Sequence, residues 1–249
     1  MKQKYDFDVT AHTKTIIPIL QALSATDEAL SADLLNSLLR KYPKPMGGVY
    51  SRSQLIAGYR ELAGTHGLPP YDETFIERIR LKPVRTSSGV TPVTVLTKPF
   101  PCPGTCIFCP NDVRMPKSYL SDEPGAQRAE QNSFDPYLQT YSRLLSYHNT
   151  GHPTDKIELI ILGGTWSFYP ETYQIWFIKR IFDALHDFGD GINRCDEVET
   201  LLKGASKLHP ENNITTAQVM GVDLNQSYNQ VVQNIYSDEM ARSRDIATQ

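Results

Sequence analysis

Three of the four cysteines in this 249-residue sequence lie within eight residues of one another, as Cys102, Cys106 and Cys109. Thiolates at this spacing can each bind one iron of a cubane cluster and leave the fourth iron without a cysteine. An open iron can bind the amino and carboxylate groups of S-adenosylmethionine and pass an electron into its sulfonium, which yields a 5′-deoxyadenosyl radical. That chemistry belongs to the cofactor, and the protein positions it. The spacing therefore predicts a [4Fe–4S] cluster that cleaves S-adenosylmethionine.

Two other interpretations of these cysteines stay open. A structural zinc site needs four ligands, usually in two separated pairs, so it would require the distant Cys195 or one of the six histidines. Unliganded structural thiols are the second interpretation, although buried cysteines seldom gather on a loop rich in proline and glycine. The ring of Phe108, directly before the third cysteine, favours the cluster, because it can shield the iron and stack near an adenine.

A second candidate site follows the apolar segment KIELIIL at 156–162, which predicts a β-strand. Gly163, Gly164 and Thr165 end this segment. In a parallel sheet, ligands bind at the carboxyl ends of the strands, where glycines let the backbone approach closely. An isolated Gly-Gly would predict an ordinary turn. Coming one strand after the cysteines, it predicts a cradle for the methionine end of S-adenosylmethionine.

The elements that must position these residues fall into two parts. Apolar spacing predicts two helices within 14–41, a third over Ser51–Ala63 and a fourth over Asp72–Arg80. Further on we expect a strand at 92–98, a loop over Pro99–Asp135, a helix over Pro136–His148, a strand at 156–162, and helices over Glu171–His186, Asp196–Leu208 and Tyr228–Arg242, with 214–222 either strand or loop. Alternating strands and helices predict an α/β fold with a parallel sheet.

Composition and charge limit the partners. No apolar run approaches the length of about 18 residues that a membrane span needs, and the N-terminus lacks the apolar core of a secretory signal. We therefore expect a cytoplasmic protein with no membrane partner. The net charge is −3, but residues 40–100 contain ten Lys or Arg and four Asp or Glu. Such a segment can contact a polyanion, although charge alone favours an ordinary solvated surface.

Three segments resemble one family of radical enzymes. They are KPVRTSSGVTPVTVLTKPFPCPGTCIFCP at 82–110, SDEPGAQRAEQNSFDPYLQTYSRL at 121–144 and GHPTDKIELIILGGTWSFYP at 151–170. They resemble the start of the radical S-adenosylmethionine domain in the catalytic subunit of Elongator, a tRNA uridine carboxymethyltransferase. The resemblance implies a tRNA-modifying acyltransferase in which an acetyl radical, made from acetyl-CoA, adds to C5 of the wobble uridine. It also implies a C-terminal acetyltransferase-like domain.

The resemblance assigns roles to residues by position. Cys102, Cys106 and Cys109 match the cluster ligands, and Gly163, Gly164 and Thr165 match the S-adenosylmethionine motif. Lys156 falls where the family has a lysine that contacts acetyl-CoA. The basic segment matches the region that holds tRNA, which implies phosphate contacts from Arg40, Lys41, Lys44, Arg52, Arg78, Arg80, Lys82 and Arg85. Further subunits of an Elongator-like complex, or a second copy of the chain, are the other implied partners.

The sequence also departs from the family pattern. The gap between the first two cysteines is shorter than in eukaryotic members and fits prokaryotic ones. The family's Glu-Thr-Arg-Pro-Asp segment is not found, and nothing after residue 190 resembles later barrel strands or an acetyltransferase. The expected architecture is a helical, basic tRNA-binding module at 1–81 and an incomplete radical S-adenosylmethionine domain at 82–249, the first portion of a partial βα barrel, without the acetyltransferase domain. Alternatives are a truncated, non-catalytic chain that binds tRNA or a partner, and a radical enzyme with another substrate.

Overall fold

The computed structural model describes residues 7–26, 30–104, 106–110, 112–208 and 227–234. The chain divides into two compact units. The first contains residues 1–92 and 144–158, and the second contains residues 93–143 and 159–249. The segment at 144–158 belongs to the first unit together with the N-terminal helices.

The first unit is built on four helices, and these confirm the helices predicted from apolar spacing. They are α1 (Val9–Ser24), α2 (Ala32–Lys41), α3 (Arg52–Leu62) and α4 (Glu73–Ile79). The start of α3 is fixed by a capping box, in which Ser51 accepts from the backbone of Gln54 and the Gln54 side chain accepts from the backbone of Ser51. Buried side chains of all four helices share one apolar core, among them Ile16, Leu20, Leu35, Leu55, Ile56 and Ile76.

A two-stranded sheet joins β1 (Thr91–Leu96) to β2 (Ile157–Leu162). The backbone N–H of Thr91 donates to the carbonyl of Lys156, and the N–H of Thr97 donates to that of Leu162, both at 2.9 Å. Since both positions advance by six residues, the strands run parallel. The α/β class is confirmed. Two strands among the described residues do not establish a barrel.

Helices of the second unit are α5 (Pro124–Gln131), α6 (Pro136–Asn149, whose last turns belong to the first unit), α7 (Glu171–Gly189), α8 (Cys195–Leu208) and a further helical segment, α9, at 228–234. The prediction of an unbroken loop over Pro99–Asp135 is wrong at α5. Proline at its first position and buried Ala126 and Ala129 explain that helix, since the two alanines pack with Leu96 and Met115. Residues 214–222 and 235–242 lie outside the described residues.

In the part of the chain that the structure describes, no helix combines the length and the apolar character that a membrane span needs.

Candidate functional site

The loop that carries Cys102, Cys106 and Cys109, called the cysteine loop below, follows the carboxyl end of β1. Tyr169 holds the start of this loop in place. The Tyr169 hydroxyl lies 2.7 Å from the Thr97 hydroxyl and donates to the Lys98 carbonyl at 3.1 Å. Its ring stacks on Phe100 with a centroid distance of 4.8 Å. Burial is the main reason that the pKa of Tyr169 is raised, so its hydroxyl keeps its proton and serves as a donor. The start of the loop is therefore fixed to the segment that follows β2.

All three cysteines of the loop are free thiols, with Cys106 exposed and Cys102 and Cys109 half-buried. An ideal Cβ placed on Gly104 would lie 3.4 Å from the sulfur of Cys106 and 3.9 Å from that of Cys102. These two sulfurs therefore face one point above Gly104. The third sulfur, of Cys109, lies 3.2 Å from the hydroxyl oxygen of Ser118.

The first cysteine lies beside the turn after β2. The sulfur of Cys102 is 3.6 Å from the hydroxyl oxygen of Thr165. Burial opposes ionisation of this thiol, but hydrogen bonds from the Gly104 backbone and from Thr165, with the nearby charge of Lys117, outweigh it and lower the pKa of Cys102. The structure thus brings together a predicted cluster ligand and a predicted S-adenosylmethionine residue, and the lowered pKa makes the thiolate of Cys102 easier to form.

The glycine turn lines a small cavity at the ends of the two strands. The cavity has a volume of about 120 Å³, and Thr97, Tyr119, Leu162, Gly163, Gly164 and Trp166 are among the residues that line it. Gly163 has a φ of +155°, and a Cβ there would lie 1.9 Å from the Thr97 hydroxyl oxygen. Ligand pockets usually measure about 300–1,000 Å³. This cavity can therefore take one end of a ligand.

The donor set of the loop fits an iron–sulfur cluster. It offers three thiols on one loop, of which two already converge above Gly104 and one has a lowered pKa. Among the described residues, no three His, Cys, Asp or Glu side chains are gathered into a preformed metal site. The sulfur of Cys109 lies instead beside the hydroxyl of Ser118. Cys195 belongs to α8, and its partly buried thiol packs beside the Tyr137–Tyr141 cluster rather than on the loop.

Two predicted ligand-contact residues, Phe108 and Lys156, are open to solvent. Phe108 is 93% exposed, so its ring does not cover the thiols here, and its role stays a prediction. Lys156 is exposed directly before β2, and its backbone carbonyl accepts from Thr91. Its side chain is therefore open to solvent.

Three of the eight predicted tRNA residues donate hydrogen bonds to backbone carbonyls. Arg52 donates to the carbonyls of Ile79 and Arg80 at 3.3 and 3.0 Å. Arg78 donates to the carbonyls of Leu23 and Thr26. Arg80 donates to the carbonyl of Gly151 at 2.5 Å.

Each of these three guanidinium groups therefore binds at least one backbone carbonyl within the first unit. The basic side chains that remain for contact with a polyanion are the other five. Arg40 and Lys41, in the last turn of α2, are exposed, and so are Lys82 and Arg85. Lys44 is half-buried, with its ammonium 5.6 Å from the centre of the Tyr50 ring.

The sequence did not predict three residues that contact the cysteine loop or hold its start, and two of them lie far from it in sequence. Thr97 and Tyr169 hold the start of the loop, and Asn229 binds the backbone of Cys102. The position of Thr97 at the carboxyl end of a predicted strand was a usable signal. Asn229 had none, because no spacing rule relates it to a residue 127 positions earlier.

The chain is similar to curated tRNA uridine(34) acetyltransferases and to Elongator complex protein 3. It is 50% identical over 115 residues to the enzyme of Methanocaldococcus infernus, a match that covers 44% of this chain and 22% of that protein. The match to the Dehalococcoides mccartyi enzyme is 51% over 102 residues, covering 41% and 22%. Human Elongator complex protein 3 is 37% identical over 128 residues, covering 47% and 23%. No family model matches the chain.

These relatives confirm the resemblance that the sequence motifs indicated. The chain spans between a fifth and a quarter of the length of the curated relatives it matches.

Proposed function

We propose that this chain carries the S-adenosylmethionine-cleaving part of a tRNA uridine(34) acetyltransferase. The main support for this proposal is the contact between Cys102 and Thr165. It joins the cysteine loop to the turn at Gly163–Thr165, at the ends of two parallel strands. The similarity to enzymes named tRNA uridine(34) acetyltransferase supports the substrate, C5 of the wobble uridine, and acetyl-CoA as the acyl source.

In this proposal each part of the site has one task. Cys102, Cys106 and Cys109 bind the [4Fe–4S] cluster as thiolates, and hydrogen bonds from Gly104 and Thr165 favour that state at Cys102. When bound, the cluster supplies the electron that cleaves S-adenosylmethionine. Gly163 and Gly164 let the backbone approach the methionine end of that molecule, because neither carries a Cβ.

The co-substrates meet the first unit. Lys156 contacts acetyl-CoA, and an exposed ammonium suits the phosphates of coenzyme A. Arg40, Lys41, Lys44, Lys82 and Arg85 bind tRNA phosphates, which positions the RNA without reading its bases. Elongator-like subunits or a second copy of the chain remain proposed partners.

Cleavage of S-adenosylmethionine tests the proposal. The chain is reconstituted with iron and sulfide without oxygen and reduced with dithionite. Methionine and 5′-deoxyadenosine are then measured in the wild type and in Cys102→Ser, Cys106→Ser and Cys109→Ser. We expect both products from the wild type and from the matched control Cys195→Ser, and none from the three loop variants. An iron-loaded wild type that leaves S-adenosylmethionine intact contradicts the proposal.

A second candidate function is binding of tRNA without turnover. The exposed basic residues at the end of α2 favour it, since they need no cluster to contact phosphate. Salt-dependent tRNA binding by a chain that forms no cluster would support this candidate over the first.

A further inference from the structure

The backbone of Cys102 is held at two points by one amide side chain. The N–H of Cys102 donates to Oδ1 of Asn229 at 3.0 Å, and Nδ2 of Asn229 donates to the Cys102 carbonyl at 2.7 Å. A primary amide is suited to this pairing, because it carries an acceptor and a donor side by side, as a neighbouring strand would. The amide therefore fixes the backbone of Cys102 on both sides of its Cα.

Local sequence explains why Asn229 is in place. Ser227 and Gln230 form a capping box: the Ser227 N–H donates to the Gln230 side chain at 2.8 Å, and the Gln230 N–H donates to the Ser227 hydroxyl at 3.4 Å. The box starts α9, whose Val231 and Val232 are buried. Asn229 thus projects from the first turn of an anchored helix.

The same helix holds the far side of the cysteine loop. Tyr228 is 4% exposed, and its hydroxyl donates to the carbonyl of Met115 at 2.9 Å. The ammonium of Lys117 lies 4.7 Å from the centre of the Tyr228 ring, a cation–π contact. Burial raises the pKa of Tyr228, which keeps the hydroxyl a donor. Adjacent residues of α9 therefore contact both Cys102 and Met115, which bracket the other two cysteines.

We propose that Asn229 is a positioning residue for the cysteine loop, and that α9 fastens the loop at Cys102 and Met115. Asn229 acts through the backbone of Cys102, whose sulfur then faces Cys106 above Gly104. The consequence for a cluster rests on the proposed function, whereas the backbone clamp does not.

Amide hydrogen exchange of the iron-free chain tests the clamp directly. Pro101 and Pro103 carry no amide hydrogen, so the Cys102 N–H is isolated and can be followed by fragmentation of the peptide. Asn229→Leu removes both bonds, and we expect about tenfold faster exchange at Cys102. Asn234→Leu, an exposed asparagine of the same helix, is the matched control and should leave the rate unchanged. Exchange within about twofold of the wild type in Asn229→Leu overturns the clamp.

A second variant covers the case in which Asn229→Leu does not fold. Asn229→Asp keeps the acceptor for the Cys102 N–H and loses the donor to its carbonyl, so protection of that N–H should persist. If Asn229→Asp folds and its Cys102 N–H nevertheless exchanges as fast as in an unfolded chain, the clamp is contradicted.

Cluster spectra then test positioning. After anaerobic reconstitution, Asn229→Asp is expected to shift the midpoint potential and the EPR g-values of the reduced cluster, with Asn234→Leu unchanged. Unchanged spectra in Asn229→Asp would limit Asn229 to a structural role. If the wild type forms no cluster, the proposed function fails, and the exchange result still decides the clamp.

Discussion

The hydroxyl oxygen of Thr165 lies 3.6 Å from the sulfur of Cys102, although 63 residues separate them in sequence. Parallel β1 and β2 produce this approach, because their carboxyl ends lie side by side and each is followed by a candidate site residue. The contact links thiolate chemistry to the glycine turn. It also places one hydroxyl within reach of one thiol.

Removing that hydroxyl should raise the pKa of Cys102. Thr165→Val loses the side-chain hydrogen bond that helps to lower this pKa, while Thr165→Ser keeps it. We expect alkylation of Cys102 by iodoacetamide to slow several-fold near pH 7.5 in Thr165→Val, with its pH profile moved to higher pH. The measurement is peptide mass spectrometry of the iron-free chain.

This experiment has two controls, one variant and one cysteine. Thr172→Val, an exposed threonine on α7, should leave the Cys102 profile unchanged. Cys195 should react slowly in every variant, since burial first and nearby Glu199 and Asp196 next raise its pKa to about 12. Equal Cys102 profiles in wild type and Thr165→Val would show that the hydroxyl does not act on the thiol.

Gly163 and Gly164 are expected to differ sharply on substitution. In Gly163→Ala the new Cβ would lie 1.9 Å from the Thr97 hydroxyl oxygen, so we expect a loss of about 1–3 kcal/mol in the free energy of unfolding. In Gly164→Ala the nearest atom, the Tyr169 hydroxyl oxygen, would be 3.7 Å away, so the fold should persist. Affinity for S-adenosylmethionine should nevertheless fall.

Urea unfolding and S-adenosylmethionine binding check both glycine variants. Gly125→Ala, where a Cβ would meet nothing within 4 Å, is the control for both measurements. A Gly163→Ala chain as stable as the wild type would contradict the packing argument. Full affinity in Gly164→Ala would remove it from the proposed cradle.

Basic side chains of the first unit should separate into two groups. Alanine at Arg52, Arg78 or Arg80 removes guanidinium donors from backbone carbonyls and should cost about 1–3 kcal/mol of stability each. Alanine at Arg40 or Lys41 should change stability by less than about 0.5 kcal/mol, because both are exposed. Thermal unfolding measures this contrast.

In the proposed function, the exposed pair should matter for tRNA instead. Binding should weaken in Arg40→Ala and Lys41→Ala, with a shallower dependence on salt concentration, because each variant loses a phosphate contact. Binding titrations at several salt concentrations measure the slope. Unchanged affinity and salt dependence in both variants would place the tRNA-binding surface elsewhere.

Asp135 should make stability depend on pH. It caps α6, with the Leu138 N–H donating to its Oδ1 at 2.9 Å. Burial raises its pKa, against the opposing effects of that hydrogen bond and of Arg180. Because the folded pKa lies above the unfolded one, the penalty is absent at low pH and grows as pH rises through the folded pKa.

Asp135→Asn keeps the capping oxygen and removes this titration. Asp135→Asn should therefore be at least as stable as the wild type at pH 7. Near pH 3, where Asp135 is protonated, the difference in free energy of unfolding between the two chains should shift in favour of the wild type. Asp135→Ala loses the cap and should be about 1 kcal/mol less stable than Asp135→Asn at both pH values. Urea unfolding at the two pH values gives the comparison. A wild type that gains stability over Asp135→Asn as pH rises would reverse the sign.

Local signals predicted most of the described elements. Apolar spacing located the helices of the first unit, and the apolar run before Gly163 located β2. The helix α5 escaped because its short sequence, PGAQRAEQ, buries only two alanines and has no apolar stripe. Proline at its first position, followed by good helix formers, was the overlooked signal.

The sequence alone does not predict which residues form tertiary contacts, and the reason is physical. Whether Arg78 contacts a phosphate or the carbonyl of Thr26 depends on packing of α4 beside the end of α1, and composition does not report that packing. The clamp on Cys102 likewise joins residues far apart in sequence. Spacing predicted which residues could carry chemistry, and the fold decides which of them are held in place.

EPR spectroscopy of the reconstituted, dithionite-reduced chain, with and without S-adenosylmethionine, tests the central claim most directly. We predict a [4Fe–4S] signal in the wild type and in Cys195→Ser, with g-values that change when S-adenosylmethionine is added. We predict no such signal in Cys102→Ser, Cys106→Ser or Cys109→Ser. A wild type that takes up no iron, or a signal that survives loss of the loop cysteines, would contradict the account.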